Sequence, residues 1–165
     1  MKLKWMREYR DIVEQLIRYC NNYALCINKE QKMGSDIEMS LSQIQVIEYL
    51  LENEELHQNM SEVASRLGIT ISHFSKIVNK LEKKGLLEKY RKINNKKDVI
   101  IQVNDKGRDV YIKYSKYIYE NHFSKMFEIA DNIPKEYLCF IAEMLNAKNL
   151  ESKNIYEDVK LVPIK

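Results

Sequence analysis

The segment between Gly68 and Gly85 constrains the fold more than any other part of the chain. Its apolar residues recur at spacings of three and four, which places them on one face of a helix. A shorter apolar stretch at 60–67 ends at Gly68, because glycine readily adopts the left-handed backbone found at helix ends. Two short helices joined by such a turn predict a helix-turn-helix. The apolar residues of the second helix are Phe74, Ile77, Val78 and Leu81.

The opposite face of this second helix is polar. Hydroxyl, imidazole and amide groups can hydrogen-bond to base edges, and ammonium groups can contact phosphate or guanine. A solvated helix face is the alternative interpretation, but the glycine-bounded turn and a basic hairpin beside it favour contact with DNA. The residues expected to contact DNA from this helix are Ser72, His73, Ser75, Lys76, Asn79 and Lys80.

Two stretches rich in strand-forming residues follow, at 86–90 and 99–103, with a polar stretch between them. They predict a β-hairpin with a charged tip. Cations crowded into a short loop repel each other, and an anionic partner such as the DNA backbone removes that repulsion. The tip residues expected to contact DNA are Arg91, Lys92, Asn94, Asn95, Lys96 and Lys97.

Positive charge is concentrated in this helix and hairpin. Nine Lys or Arg residues and only three acidic residues lie between Ser72 and Asp98, although the 165-residue chain has a net charge of only +3. The rest of the chain is therefore net negative. This distribution is typical of a protein that meets phosphate with one surface.

The remaining periodicity is helical. We expect a long helix over about 3–29, a polar linker at 29–39, and a second helix capped by Ser42. Ser61 is the expected cap of the 60–67 helix, and Thr70 or Ser72 that of the next. After the hairpin, Asn104 is expected to cap one long, extensively buried helix reaching about residue 130, and Pro134 to open the last clear helix.

Residues 67–87, the hairpin and the segment Val103-Asn104-Asp105-Lys106-Gly107 together resemble the MarR family of bacterial regulators. The arrangement of elements matches over roughly 1–150, most specifically over 41–107. The resemblance implies a mainly α fold with a small β-hairpin wing (α+β), that is, a winged helix-turn-helix. Its domains are an N-terminal dimerisation helix and linker (1–35), a DNA-binding domain (36–104), and C-terminal dimerisation helices (105–165).

The same resemblance implies a homodimer that binds a pseudo-palindromic site in double-stranded DNA as a sequence-specific transcriptional regulator, expected to be a repressor. Many relatives are released from DNA by a small aromatic ligand. A pocket for such an effector would be lined by Tyr19, Tyr23, Tyr111 and Tyr114, unless these residues form the dimer core. Within the family, a peroxide sensor using Cys20 is the alternative, although a cysteine on an apolar stripe is usually inert.

Other functions have little support in the sequence. No nucleophile elbow, phosphate-binding loop or dinucleotide fingerprint is present, so we expect neither an enzyme nor a cofactor. The scattered histidines predict no metal site. Without a signal sequence or an apolar run of spanning length, a cytoplasmic protein is expected. The alternative from another class is a winged-helix module for protein interaction or replication, without operator specificity.

Overall fold

The structure, a computed structural model, describes the backbone of residues 4–92 and 95–154 and the side chains of residues 4–91 and 99–147. The described chain is mostly helical and has two small antiparallel strand pairs, which confirms the predicted fold class. The α-helices are α1 Arg10–Cys26, α2 Leu41–Glu52, α3 Met60–Arg66, α4 Ile71–Lys83, α5 Asp105–Ile118, α6 Ser124–Ala130 and α7 Lys135–Asn154. The strands are β1 Gln31–Lys32, β2 Glu38–Met39, β3 Leu87–Lys92 and β4 Asn95–Val103.

The turn between α3 and α4 forms as its glycine and cap residues predict. Gly68 has a φ of +69°, a conformation that costs glycine little because it has no Cβ. The hydroxyl of Thr70 accepts a hydrogen bond from the backbone N–H of His73 at 3.2 Å. Thr70 is therefore the N-cap of α4, one of the two caps predicted.

The caps of α2 and α3 differ from those predicted. Ser40 caps α2 and Asn59 caps α3, each in a reciprocal capping box with a glutamine or glutamate three residues later. The predicted caps Ser42 and Ser61 are wrong, because each lies within the first two residues of its helix.

The core of the winged helix lies beneath α4. Phe74, Val78 and Leu81 are fully buried and Ile77 is nearly so, which confirms the predicted inner face of this helix. They join a single apolar cluster with the inner residues of α2, α3 and the hairpin. Phe74, at 0% exposure, is one of the largest buried side chains. The orientation of α4 is therefore set by apolar packing on one face.

The hairpin packs its base and leaves its tip outside the core. Strands β3 and β4 pair from Leu87 opposite Val103 to Arg91 opposite Val99, after which the register shifts. The side chains at its base are buried, and Asn59 forms an isolated bridge with Ile100 of β4. The base is thereby fixed beside the helix-turn-helix.

The stretch at 29–39 is more ordered than the predicted polar linker. Strands β1 and β2 pair with each other there, and Met33 and Met39 are almost fully buried. Gly34 has a φ of +76°, and a Cβ at this position would lie 2.6 Å from the carbonyl oxygen of Lys113 in α5. The segment is therefore a small hairpin, named here the β1–β2 hairpin, and the expectation of a simple linker is wrong.

The predicted long helix after Asn104 is interrupted. Asn104 does cap α5, accepting from the backbone N–H of Gly107 at 3.0 Å. However, a π-helical turn at Tyr119–Phe123 separates α5 from α6. The expectation of extensive burial along this stretch is also wrong for the chain by itself, since the apolar side chains of α6 are largely exposed.

The chain divides into two compact units, one up to Tyr119 and the other from Glu120 onwards. The first contains α1 to α5 with both hairpins, and the second contains α6 and α7. No described helix has the length and apolar character that a membrane span requires.

We predict that Gly107→Ala destabilises the protein, the reverse of the usual effect of this change in a helix. A Cβ at Gly107 would overlap the carbonyl oxygen of Leu86 and lie 2.6 Å from a methyl group of Val103. Such overpacking costs about 1–3 kcal/mol. Urea unfolding measures the change, and Lys113→Ala, at an exposed position of the same helix, is the control expected to stay within about 0.5 kcal/mol. Equal stability of the two variants would contradict the close packing at Gly107.

Candidate nucleic-acid interface

The outward face of α4 carries the polar residues predicted to contact DNA. Burial of the apolar face fixes the other face towards solvent, so these side chains project from one rigid helix. Ser72, Lys76, Asn79 and Lys80 are exposed, whereas His73 and Ser75 are partly buried at the margins of this face. The structure therefore brings all six residues onto one helix.

The N-terminal end of α4 presents one residue that the sequence pattern missed. Ile71, the first residue of the helix, is 54% exposed, because the apolar cluster begins one turn later at Phe74. Backbone N–H groups at a helix start are positively polarised, and Thr70 occupies only that of His73. In the sequence, Ile71 follows directly after the cap residue Thr70, and this position could have indicated that Ile71 is exposed. The apolar pattern alone would assign an isoleucine to the core.

The C-terminal half of the same face is tied to the hairpin. The ammonium group of Lys89, on β3, donates to the side-chain oxygen of Asn79 at 2.8 Å and forms an ion pair with Glu82 at 2.5 Å. The amide NH₂ group of Asn79 keeps its donors for other acceptors. Lys89, which was not among the predicted contact residues, thus links α4 to β3.

Of the predicted hairpin contacts, only Arg91 has a described side chain. Arg91 is exposed near the end of β3, on the strand that carries Lys89. The side chains of Lys92, Asn94, Asn95, Lys96 and Lys97 lie outside the described residues. Their role therefore remains the prediction made from the sequence.

The four tyrosines predicted to line a ligand pocket lie close to one another in the first unit. The rings of Tyr19 and Tyr23 are stacked, with centroids 6.0 Å apart. The carboxylate of Glu48 lies near both Tyr111 and Tyr114, and Tyr114 also lies near Tyr23 and Tyr111. We name this group, Tyr19, Tyr23, Tyr111 and Tyr114 with Glu48, the tyrosine cluster.

Burial and the nearby carboxylate keep the phenols of the cluster protonated. Burial, followed by the charge of Glu48 and its hydrogen bond, raises the pKa of Tyr111 to about 12. Burial and then the charge of Glu48 also raise the pKa of Tyr114. For Tyr23, burial and the neighbouring Tyr19 raise the pKa despite a hydrogen bond from Gln45. At neutral pH these phenols are hydrogen-bond donors.

The cysteines and histidines are dispersed. Cys20 lies on α1 and is exposed. In the single chain it is therefore not buried, although its position on an apolar stripe predicted burial. Within the described part of the chain, no three His, Cys, Asp or Glu residues converge as metal ligands.

A comparison with protein-family models identifies the domain that carries this surface. The model described as the MarR family matches residues 37–97, which run from the end of the β1–β2 hairpin to the tip of the second hairpin. Residues 37–97 of this chain are therefore similar to the MarR family. No curated protein sequence matches it significantly.

Solved structures of MarR-type regulators share the fold over most of the chain. FabT of Streptococcus pneumoniae, in complex with DNA, is 20% identical, with a TM-score of 0.61 over 90% of this chain and 99% of its own. ZitR of Lactococcus lactis, also in complex with DNA, is 20% identical, with a TM-score of 0.61 over 88% and 98%. PcaV of Streptomyces coelicolor, in complex with its natural ligand, is 17% identical, with a TM-score of 0.60 over 90% and 97%. The similarity in fold extends beyond residues 37–97 to the flanking helices.

Proposed function

We propose that this MarR-type DNA-binding transcription regulator acts as a homodimer on a pseudo-palindromic operator, as a repressor in the cytoplasm. The observation that carries the proposal is the two-faced helix α4, whose apolar side is buried and whose polar side projects outward. A helix held in this way can enter the major groove while the adjoining hairpin contacts the backbone. The DNA complexes of FabT and ZitR, which have the same fold, support this assignment.

The residues of α4 have different roles in this proposal. Ser72 and Lys76, near the helix start, contact base edges, because the first turns of a recognition helix reach deepest into the groove. The exposed Ile71 packs on a thymine methyl group, the apolar feature that distinguishes thymine in the major groove. Arg91 and the hairpin tip contact phosphate, which supplies affinity without reading sequence.

Exposed apolar faces at both ends of the chain support the homodimer. On α1, Ile12 and Ile17 are about half exposed, at 50% and 53%. On α7, Leu138, Ile141 and Leu145 are spaced by three and four residues and are 39%, 41% and 44% exposed. Monomeric proteins rarely leave contiguous apolar surface of this kind in water. A second copy of the chain would cover it, and two-fold symmetry would place two recognition helices on one duplex.

The first test compares specific with non-specific DNA binding. A duplex selected by the protein from a random-sequence pool serves as the operator, and poly(dI-dC) as the non-specific competitor. We predict that Lys76→Ala costs about 1–3 kcal/mol at the operator and relaxes discrimination at one position in each half-site. Arg91→Ala should weaken both duplexes similarly and reduce the salt slope by about one.

The control is Lys116→Ala, which removes the same charge from an exposed position on α5 and should bind both duplexes as the parent does. If the parent selects no sequence and Lys76→Ala and Arg91→Ala behave like this control, the regulator proposal is wrong. The winged-helix docking module is then the better interpretation, because such a module has no operator.

A second test addresses the dimer. We predict that Ile141→Asp yields a monomer by light scattering and loses operator binding, because a carboxylate in an apolar interface is costly to desolvate. Asn146→Asp adds the same charge to an exposed position of the same helix and should remain dimeric. A monomeric parent, or an Ile141→Asp variant that remains dimeric, would place the interface elsewhere.

The tyrosine cluster supports release by a small aromatic acid. Phenols that stay protonated at neutral pH can donate hydrogen bonds to a carboxylate, while their rings pack against an aromatic ligand. PcaV shares the fold and was solved with its natural ligand. Cys20, which is exposed, is the alternative sensor through oxidation by an organic peroxide.

The third test measures release of the operator duplex by a panel of aromatic acids. We predict that an active acid releases the parent but releases Tyr114→Phe only at a concentration about tenfold higher, because one buried donor is lost. Tyr137→Phe, which changes an exposed phenol in α7, is the control. If no aromatic acid releases the parent, and an organic peroxide releases the parent but not Cys20→Ser, the thiol is the sensor instead.

A further inference from the structure

The C-terminal end of the recognition helix is bonded to the β1–β2 hairpin. The ammonium group of Lys84, the C-cap residue of α4, donates to the backbone carbonyl of Glu38 at 2.5 Å and to the side-chain oxygen of Gln43 at 2.9 Å. It also forms an ion pair with Glu30 at 3.1 Å. One side chain thus joins α4 to the hairpin and to the start of α2.

Glu30 completes the network from the hairpin side. Its carboxylate accepts a hydrogen bond from the side-chain NH₂ group of Gln43 at 2.6 Å and lies 3.5 Å from the ammonium group of Lys80. Gln43 is 1% exposed and is itself held by its capping box with Ser40. Burial opposes ionisation of Glu30, but hydrogen bonds from Lys84 and Gln43 outweigh it and lower the pKa of this carboxyl.

This network differs from an ordinary surface ion pair. An exposed pair contributes little, because water screens it and two flexible side chains must be ordered. Here the side chains of Lys84 and Glu30 are only 21% and 30% exposed, and both contact the same buried amide. Several simultaneous bonds therefore restrain the positions of both side chains.

We propose that Glu30 and Lys84 are positioning residues for DNA recognition. They form a clasp that holds the recognition helix at a fixed angle to the β1–β2 hairpin, which directly follows α1. The inference rests on the proposed function and adds residues that do not themselves touch DNA. Operator binding then depends on a carboxylate that lies outside the DNA-contacting face of α4.

Electrostatics alone leads to the opposite expectation for Glu30. A negative charge near Lys80 and Lys84 repels phosphate and reduces the positive potential of the DNA-binding surface. Its removal would therefore strengthen binding to any duplex. A clasp predicts weaker operator binding, because a displaced helix no longer aligns its side chains with the base edges.

The test compares Glu30→Gln with Glu38→Gln. Both variants lose one negative charge from the same hairpin, but only at position 30 does the side chain contact Lys84, since Glu38 binds it through its backbone carbonyl. Binding is measured with the duplex selected by the parent and with poly(dI-dC). We expect Glu30→Gln to lose about tenfold in operator affinity, with non-specific binding unchanged or stronger. Glu38→Gln should keep both affinities or raise both slightly.

A second pair of variants removes the cation instead. Lys84→Met should reduce the ratio of operator to non-specific affinity, whereas Lys83→Met, at an exposed neighbouring position, should leave that ratio unchanged. Urea unfolding separates positioning from stability, because a purely structural role would lower the unfolding midpoint and leave the affinity ratio of the folded protein intact.

The clasp is overturned if the parent selects an operator and Glu30→Gln binds it as tightly as Glu38→Gln does. It is also overturned if Lys84→Met keeps the parental affinity ratio. A parent that selects no sequence overturns the proposed function first, and the clasp with it. The two failures are therefore distinguishable.

Discussion

Burial of one face of α4 is the constraint on which the rest of the structure depends. Phe74, Val78 and Leu81 can leave water only by packing on α2, α3 and the second hairpin, and this fixes which side chains of the helix point outward. The outward residues need no mutual contacts to form a surface. They are aligned because the apolar side of the same helix is closely packed, and for that reason a recognition helix can be polar and still rigid.

Local signals explain which elements were predictable. The two faces of α4 and the caps Thr70 and Asn104 depend on residues within one or two helical turns of each other, so spacing alone reveals them. The hairpin joins two stretches that are neighbours along the chain, and their strand-forming residues predict it. The wrong caps, Ser42 and Ser61, show that a serine near a helix start is insufficient. Ser40 and Asn59 also have the partner three residues later that completes a capping box, and that signal was present in the sequence.

Contacts between distant segments explain what the sequence could not show. Glu30 and Lys84 are separated by more than fifty positions, and no periodicity relates a polar linker to the end of a recognition helix. The expected burial of the long helix after Asn104 was wrong for another reason. Periodicity marks a face as apolar but does not say whether the same chain or a second copy covers it, and Met126 and Ile129 of α6 remain exposed in the single chain.

The ion pairs also change how the basic character of α4 and β3 should be understood. Lys84 is engaged by Glu30 and Lys89 by Glu82, so two of the cations that make this segment basic hold the protein together at opposite edges of the helix. Counting lysines therefore overestimates the number of phosphate contacts that this helix can make. In the proposed clasp, Glu30 helps to hold the C-terminal end of the packed helix in place, at the expense of general attraction to DNA. Because its C-terminal half is bonded to both hairpins, α4 has its freest polar groups at the N-terminal end, where the proposed function places the contacts with base edges.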